Sequence, residues 1–271
     1  MTYLIAEVGS THDGSLGNAL RSVQVFAESD AIKFQDHRWQ KVRPGLHPSP
    51  HVRETRELYY RRTAFGPEQW DAIKRECRQV GADLIVSPFS VEAAREQADR
   101  VDAFKVASGE VTNLPLLAEL RAIGKPVHLS SGMSDWPELD AAVEALGPAL
   151  RSVMHCVSLY PTPPEKWALR GIQELQVRYP ETVVGYSDHS AGTTAPVLAA
   201  YMGASVVEVH VTLSRSLYGS DAWFGLEPQG FSTLRLGLRE AWEASKCRCP
   251  RSERVRSDEI QQMREVFTWR E

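Results

Sequence analysis

The sequence predicts a single-domain α/β fold, a (β/α)8 barrel, and three observations lead to that prediction. Short apolar runs alternate with amphipathic helical stretches along most of the chain, which favours a parallel sheet. The pattern repeats eight times in about 245 residues, which favours closure into a barrel of the usual size. No Gly-x-Gly-x-x-Gly motif follows the first apolar run, so an open dinucleotide-binding sheet, the structural alternative, lacks its commonest signature.

Each predicted strand is followed by a predicted helix. The strands are expected at 3–8, 31–34, 83–86, 103–106, 126–129, 152–157, 182–185 and 205–211. The helices are expected at 16–28, 67–80, 91–99, 114–123, 135–146, 168–179, 193–202 and 229–245. Residues 36–66 form a long connection rich in Arg, His and Pro, and loops of that length are usually functional lids or disordered. We assign residues 1–245 to the barrel and 246–271 to a charged tail with a helix at 257–269.

Composition and charge exclude several classes of function. A formal net charge of −4 gives no support for binding nucleic acid, which usually requires a strongly basic surface. No apolar run approaches the roughly 20 residues of a membrane helix, and no signal peptide is recognisable at the start. The four cysteines form no disulfide framework and are expected to be reduced. We therefore expect a soluble, cytoplasmic protein with neither a nucleic-acid nor a membrane partner.

Polar side chains are concentrated where the predicted strands end. In a barrel these ends meet at one face, where active sites are built. Lysine is costly to bury unless it is paired, so Lys33 or Lys105 alone is equally compatible with a structural ion pair. Two lysines at matching strand ends with serines nearby favour a phosphate or carboxylate site, because both groups supply charge-assisted hydrogen bonds. The other polar residues at these ends are Glu7, Gln35, Ser87, Ser108, Glu110, Ser130, Ser131, Ser158, Tyr160 and Ser187.

Two histidines end neighbouring predicted strands. His210 lies alone in an apolar run, where a histidine is more often a core residue, but His189 ends the adjacent strand. Two imidazoles at neighbouring strand ends are typical of a divalent-metal site with positions open for water and substrate. His12 is equally compatible with lining the same opening and with shaping its own turn. His155, inside a strand, is expected in the core or behind the ligands.

Seven groups of segments resemble the sialic acid synthase family in that family's order. They are IAEVG (5–9) with HDGS (12–15), IKFQ (32–35), FKVASGEVTNLPLL (104–117), LSSGM (129–133), HCVSLYPTPP (155–164), GYSDH (185–189) and GASVVEVH (203–210). The resemblance covers nearly the whole predicted barrel, from about residue 3 to residue 240.

The resemblance implies a transferase of carbohydrate biosynthesis that condenses phosphoenolpyruvate with a sugar-like aldehyde. The products would be a 2-keto-3-deoxy acid of the nonulosonate type and phosphate. It implies that His189 and His210 bind Mn2+ or Mg2+ and that the enzyme is a homodimer. It also implies that phosphoenolpyruvate is held by Lys33, Lys105, Ser108, Ser130 and Ser187, with Ser87 and Ser158 beside it. Glu110 would be the acid/base residue, with Lys105 and Glu7 also catalytic, and the acceptor would face Gln35, Tyr160 and Asp221.

Two departures from the family concern the acceptor. Family members continue into an antifreeze-like domain that lends an arginine to the acceptor site, and this sequence ends at Glu271 without one. Segment 218–223, YGSDAW, also differs from the family's usual acceptor segment. We therefore expect an acceptor other than N-acetylmannosamine, carrying a charge contacted by Arg61 and Arg62, unless the basic connection is only a solvated surface.

Two alternatives stay open at this point. One is a synthase of 3-deoxy-octulosonate or 3-deoxy-heptulosonate phosphate, although the metal-dependent forms of those enzymes use a cysteine ligand and no cysteine ends an early strand here. The other is a non-catalytic barrel that binds a phosphorylated ligand. Retention of both histidines, both lysines and Glu110 favours a catalyst.

Overall fold

Eight parallel strands close into a barrel in the computed structural model, which describes residues 1–40, 43–246 and 258–267. Each strand pairs with the next one along the chain, and the eighth pairs with the first. The strands are β1 (Tyr3–Gly9), β2 (Ala31–Asp36), β3 (Asp83–Pro88), β4 (Ala103–Val106), β5 (Val127–Ser130), β6 (Leu150–Cys156), β7 (Val183–Asp188) and β8 (Val206–His210). The predicted fold class is therefore confirmed, with strand ends that differ from the predicted ones by at most three residues.

Helices follow the strands, and those from α1 to α9 surround the barrel, whereas the described side chains of α10 are exposed. They are α1 (Leu16–Val25), α2 (Arg56–Thr63), α3 (Pro67–Val80), α4 (Val91–Gln97), α5 (Leu114–Ile123), α6 (Trp136–Leu146), α7 (Gly171–Arg178), α8 (Thr194–Tyr201), α9 (Pro228–Lys246) and α10 (Asp258–Phe267). Side chains of Ser15, Ser90 and Asp135 accept hydrogen bonds from the first turns of α1, α4 and α6, which fixes where these helices begin.

Helix α2 was not predicted, because it lies inside the connection that was taken as a loop. Its sequence, RELYYRRT, lacks an apolar stripe at helical spacing, so periodicity could not reveal it. The remaining signal is local: the Thr55 side chain accepts from the Leu58 N–H, and Glu57 lies in the first turn.

The interior of the barrel is divided into an apolar layer and a charged layer above it. The apolar layer consists of Ile5, Ala31, Ile85, Ala103, Met154 and Val206. Two residues further along four of these strands, on the same inward face, stand Glu7, Lys33, Lys105 and Glu208. The strand period of two thus places the four charged side chains together, directly above an apolar floor.

Helix α10 lies within the predicted tail, while residues 247–257 and 268–271 fall outside the described part of the chain. The proposed division at residue 245 stays a prediction. Cys77 and Cys156 are buried free thiols, and Cys247 and Cys249 are outside the described residues. None of the described helices is long and apolar enough to cross a membrane.

Candidate active site

A buried network of ion pairs forms the bottom of the cavity at the carboxyl ends of the strands. Lys33 Nζ lies 2.7 Å from Glu7 Oε2 and 3.5 Å from Glu208 Oε1, and Lys105 Nζ lies 3.2 Å from Glu208 Oε2. The Ser187 hydroxyl donates to Glu208 Oε1 over 3.1 Å. Burial alone would raise the pKa of Glu208, but the two ammonium groups hold it well below its usual range. Both lysines therefore have carboxylate partners before any anion binds.

Glu208 was missed in the sequence analysis, which read its strand only for His210. The overlooked signal was the two-residue period of a strand. Glu208 stands two residues before His210, so both side chains lie on the same inward face. Two buried lysines also need more negative charge than Glu7 alone supplies. Either consideration would have pointed to a second carboxylate in this layer.

Serine hydroxyls surround the space above the lysines. Gly132 brings two of them together, because a Cβ at this position would lie 2.7 Å from both Ser108 Oγ and Ser158 Oγ. Ser158 Oγ is shielded from solvent and has no hydrogen-bond partner among the described residues. A buried hydroxyl without a partner is costly, so its place in the cavity wall favours a ligand that binds there.

The cavity has a volume of about 540 Å³ and gathers most of the predicted site. The predicted residues that line it are Glu7, Lys33, Gln35, Ser87, Lys105, Ser108, Ser158, Tyr160, Ser187, His189, His210 and Asp221. Ser130 and Glu110 do not line it: Ser130 is buried at the end of β5, and Glu110 accepts a hydrogen bond from Asn113 over 2.7 Å. Burial raises the pKa of Glu110, as a proton-donating role would require. The roles of these residues stay predictions.

His189 and His210 face each other across the upper wall of the cavity. Their ring centroids are 5.3 Å apart, and the Tyr160 ring lies 4.2 Å from that of His189. His189 Nδ1 donates to the Val157 carbonyl over 2.7 Å, which leaves Nε2 as the nitrogen with a lone pair. His210 Nδ1 is buried and has no hydrogen-bond partner within the described ranges. Burial lowers the pKa of His210 to about 3, so its imidazole is neutral at pH 7.

Cys156 lies behind His189, with its sulfur 3.7 Å from His189 Nδ1. Burial would raise the pKa of the thiol, but the adjacent imidazole lowers it to about 7. Burial also opposes the charged form of His189. The Cys156 sulfur outweighs this effect and raises the pKa of His189 to about 8. The two groups thus favour each other's charged forms.

Asp221 adds a carboxylate beside the histidine pair. Its Oδ2 lies 3.9 Å from His210 Nδ1, and a Cβ on residue 9 would stand only 2.7 Å from the same oxygen. Gly9, which has a φ of +54°, is therefore required both by its left-handed backbone and by the close approach of Asp221. The pairing register of β1 with β2 shifts between Glu7 and Gly9, at the same position.

This arrangement fits a divalent metal held by two histidines. Residues 1–40, 43–246 and 258–267 contain no group of three or more His, Cys, Asp or Glu side chains that could hold a metal by itself. The unpartnered nitrogen of His210 and Nε2 of the oriented His189 imidazole nevertheless provide two ligands, and a bound metal would displace any proton on His189 Nε2. Any metal here would complete its coordination with water and substrate, as a catalytic rather than a structural site requires.

Residues 43–55, the described part of the connection before α2 and here called the lid, border the mouth of the cavity. His47 and Ser49 of the lid line its wall together with Tyr60 of α2. The connection is joined to segment 218–223, since Arg53 N–H donates to Tyr218 Oη over 2.9 Å and the His51 ring stacks 4.6 Å from Trp223. The residues of this lid that line the cavity were not predicted, because loop conformation leaves no periodic signal.

The predicted role of the basic residues in this connection is wrong for the arginines named. Arg62 is held by Glu54 and Asp13, at 2.6 Å and 2.7 Å, and Arg61 lies outside the cavity. The cations lining the cavity within the described residues are Lys33 and Lys105, both at its bottom. Arg62 therefore neutralises nearby carboxylates, and neither arginine lines the cavity.

The two other histidines considered from sequence lie outside the cavity wall. His12 is buried, stacks 4.3 Å from Phe65 and accepts at Nδ1 from the Gly14 N–H, so it shapes its own turn. His155 bonds to the Trp167 carbonyl through Nε2 and supports the loop after β6.

A closed parallel barrel with buried lysines, hydroxyls and two imidazoles above an apolar floor defines an anion-binding barrel enzyme. The model of the NeuB family matches residues 22–248. The chain therefore belongs to the NeuB family, which confirms the predicted family and enzyme class.

Similar proteins, both curated sequences and solved structures, support this family membership. The spore coat polysaccharide biosynthesis protein SpsE of Bacillus subtilis is 33% identical over 88% of this chain and 67% of its own length. The human N-acetylneuraminate-9-phosphate synthase is 31% identical over 88% of this chain and 69% of its own length. Among solved structures, this chain resembles the N-acetylneuraminic acid synthetase of Leptospira borgpetersenii in complex with citrate. The two structures superpose with a TM-score of 0.81 at 28% sequence identity, and the match covers 98% of this chain and 92% of that one.

Proposed function

We propose that this chain joins phosphoenolpyruvate to an uncharged sugar aldehyde, giving a 2-keto-3-deoxy acid of the nonulosonate type and phosphate. The single observation that carries the proposal is the charged layer, in which two buried lysines and serine hydroxyls stand below two histidines in one cavity. Membership of the NeuB family supports this reaction over the synthases of octulosonate and heptulosonate phosphates and over a binding protein without activity.

Phosphoenolpyruvate would occupy the lower half of the cavity. Its phosphate and carboxylate match Lys33, Lys105 and the hydroxyls of Ser108, Ser158 and Ser187, since charge-assisted bonds to anionic oxygens are about twice as strong as neutral ones. Ser87 and Ser130 are assigned to the same end as predicted neighbours of the site. Anion binding would loosen the contacts of both lysines with Glu208, so their ammonium groups turn toward the substrate at little desolvation cost.

The acceptor would lie above, between the histidine pair and the lid. Gln35, Tyr160 and Asp221 face this space together with His47 and Ser49 of the lid. The cations that line the cavity in the described part of the chain are at its bottom, so the structure offers the acceptor hydrogen bonds and ring faces instead of a phosphate site. An uncharged aldehyde therefore replaces the charged acceptor expected from the sequence.

In the reaction we infer, C3 of phosphoenolpyruvate forms a bond to the aldehyde carbon, and water adds at C2. The C2–O bond to phosphate then breaks and phosphate leaves. Lys33 and Lys105 stabilise the negative charge on phosphate and carboxylate, and Glu7 accepts a proton from the attacking water. The predicted acid/base role of Glu110 would require its carboxylate, which lies outside the cavity wall, to move toward the acceptor when the substrates bind. A Mn2+ or Mg2+ ion bound by His189 and His210 would polarise the aldehyde.

The test is phosphate release from phosphoenolpyruvate with a panel of aldoses, including N-acetylmannosamine and its 6-phosphate. We expect release only when phosphoenolpyruvate, an aldose and Mn2+ or Mg2+ are all present, with higher kcat/KM for uncharged acceptors. Phosphoenolpyruvate labelled with 18O at its bridging oxygen should transfer the label to phosphate. A higher kcat/KM for the 6-phosphate would contradict the acceptor assignment, and unlabelled phosphate would contradict the C–O cleavage.

A homodimer is also proposed, as the family resemblance implies. Sedimentation or light scattering of the full chain measures it directly, and a monomer at assay concentration would rule out a partner subunit in the reaction.

A further inference from the structure

The imidazole of His37 is connected to the charged layer by a chain of hydrogen bonds. Gln35 Nε2 donates to Glu7 Oε1 over 2.6 Å, and Gln35 Oε1 lies 2.8 Å from His37 Nε2. Glu7 Oε2 lies 2.7 Å from Lys33 Nζ. His37 is therefore the outer end of a chain of contacts that reaches the buried ammonium group.

The ring of His37 has one orientation because it is held on both faces and at both nitrogens. Tyr60 and Phe89 stack on opposite sides, with centroids 4.0 Å away and interplanar angles of 9° and 19°. The second ring nitrogen, Nδ1, lies 2.7 Å from Gln40 Oε1. A side chain constrained in this way can orient the groups that it contacts.

The chain of bonds also determines which nitrogen of His37 carries the proton. The Glu7 carboxylate faces Lys33 and only accepts hydrogen bonds, so Gln35 must direct its NH2 group to Glu7 and its oxygen to His37. Burial of the ring lowers the pKa of His37 to about 4, so the imidazole is neutral at pH 7. A neutral ring that donates to Gln35 carries its single proton on Nε2. Nδ1 is then an acceptor, so the Gln40 amide, whose Oε1 faces Nδ1 in the structure, must turn its NH2 group toward the ring.

We propose that His37 is a positioning residue for the condensation: its Nε2–H fixes the Gln35 amide, which in turn fixes the Glu7 carboxylate beside Lys33. The proposal rests on the proposed function and adds a residue to that site. With the Gln35 amide reversed, its carbonyl oxygen would stand 2.6 Å from the Glu7 oxygen, where two acceptors repel each other. His37 excludes that orientation.

Turnover of His37→Phe tests the role, because phenylalanine keeps the stacked ring and removes the donor. We expect kcat to fall about 10- to 100-fold, as is usual when a partner that orients a reactive group is removed. The KM for phosphoenolpyruvate and the melting temperature should stay near their wild-type values. His37→Gln, which returns a donor near the position of Nε2, should recover part of kcat. Glu57→Gln, at an exposed position on the neighbouring helix α2, is the control and should leave kcat unchanged.

A purely structural role gives the opposite pattern. His37→Phe would then keep full kcat, while His37→Gln, which loses the stacking, would have a lower melting temperature and no gain in kcat over His37→Phe. That pattern overturns the proposal.

The tautomer can be measured without turnover. Long-range 15N–1H spectra of histidine-labelled protein at pH 7 should show His37 as the neutral Nε2–H form, and Gln35→Leu should abolish this preference. An Nδ1–H tautomer or an imidazolium in the wild-type protein overturns the proposal. Wild-type protein that releases no phosphate with any aldose would refute the proposed function instead, and the tautomer would still decide whether His37 orients Gln35.

Discussion

Replacement of Glu208 by glutamine tests the charged layer most directly. Glu208 is the ion-pair partner of Lys105 in the described part of the chain, whereas Lys33 would keep Glu7 at 2.7 Å. Removing one partner from a buried ion pair costs about 3–5 kcal/mol, because the other charge is left uncompensated. The glutamine oxygen can still accept a hydrogen bond, so we expect a loss of unfolding free energy at the lower end of this range, about 3 kcal/mol. For a chain of this size that corresponds to a fall in melting temperature of roughly 6–12 °C.

The same substitution should change the response to anions. Glu208 competes with a bound anion for both lysines, so Glu208→Gln should be stabilised more by inorganic phosphate or phosphoenolpyruvate than the wild-type protein is. Differential scanning fluorimetry across a phosphate titration measures both effects. Glu144→Gln, an exposed position on α6, is the control and should match the wild-type protein. An unchanged melting temperature for Glu208→Gln, or equal stabilisation of the two proteins by phosphate, would refute the reasoning.

Three further predictions concern metal, substrate and pH. Chelation should abolish turnover and Mn2+ restore it, and Mn2+ should raise the melting temperature of the wild-type protein but not of His210→Ala; turnover in excess chelator would rule out the metal. Lys105→Met should bind phosphoenolpyruvate about 10- to 100-fold more weakly by calorimetry, the effect of losing a bond to a charged group of about 1.5–3 kcal/mol; unchanged affinity would exclude Lys105 as a contact. Burial, reinforced by Lys105, lowers the pKa of His128 to about 4. Its contribution to the free energy of unfolding is therefore fully present above about pH 6.5 and is lost as the pH falls toward 4, by up to about 1.4 kcal/mol per pH unit. Urea unfolding at pH 7, 6 and 5 should show a shallower pH dependence for His128→Gln, and equal slopes would contradict the assignment.

The barrel was predictable from sequence because its strands and helices have different periods. Helices α3 and α5 were predicted with the observed ends because capping residues mark where they begin and end. Gly66 and Gly81 flank α3, and Asn113 and Gly124 flank α5. Helix α2 was missed because it depends on contacts of the lid and has no apolar face of its own. Periodicity detects a segment that buries one face, and α2 does not meet that condition.

Most of the cavity wall was predictable for a different reason. Strand-end residues such as Lys33, Ser187 and His189 have their positions fixed by the barrel, so sequence order alone gathers them. Partners brought in by loops could not be found in this way: His37, His47 and Trp223 reach the cavity through backbone turns that follow no repeat. The contact of Arg61 and Arg62 with the acceptor was mispredicted because a count of arginines gives no information on which of them reach the cavity.

The apolar floor closes the cavity beneath the charged layer. In the proposed arrangement phosphoenolpyruvate lies below the acceptor, so we expect it to bind first, because an acceptor bound first would block its path. The order of binding is then a consequence of geometry and needs no conformational signal. An unreactive analogue of the acceptor should accordingly bind only after phosphoenolpyruvate and act as an uncompetitive inhibitor against it, and a competitive pattern would show that the acceptor space can be filled first.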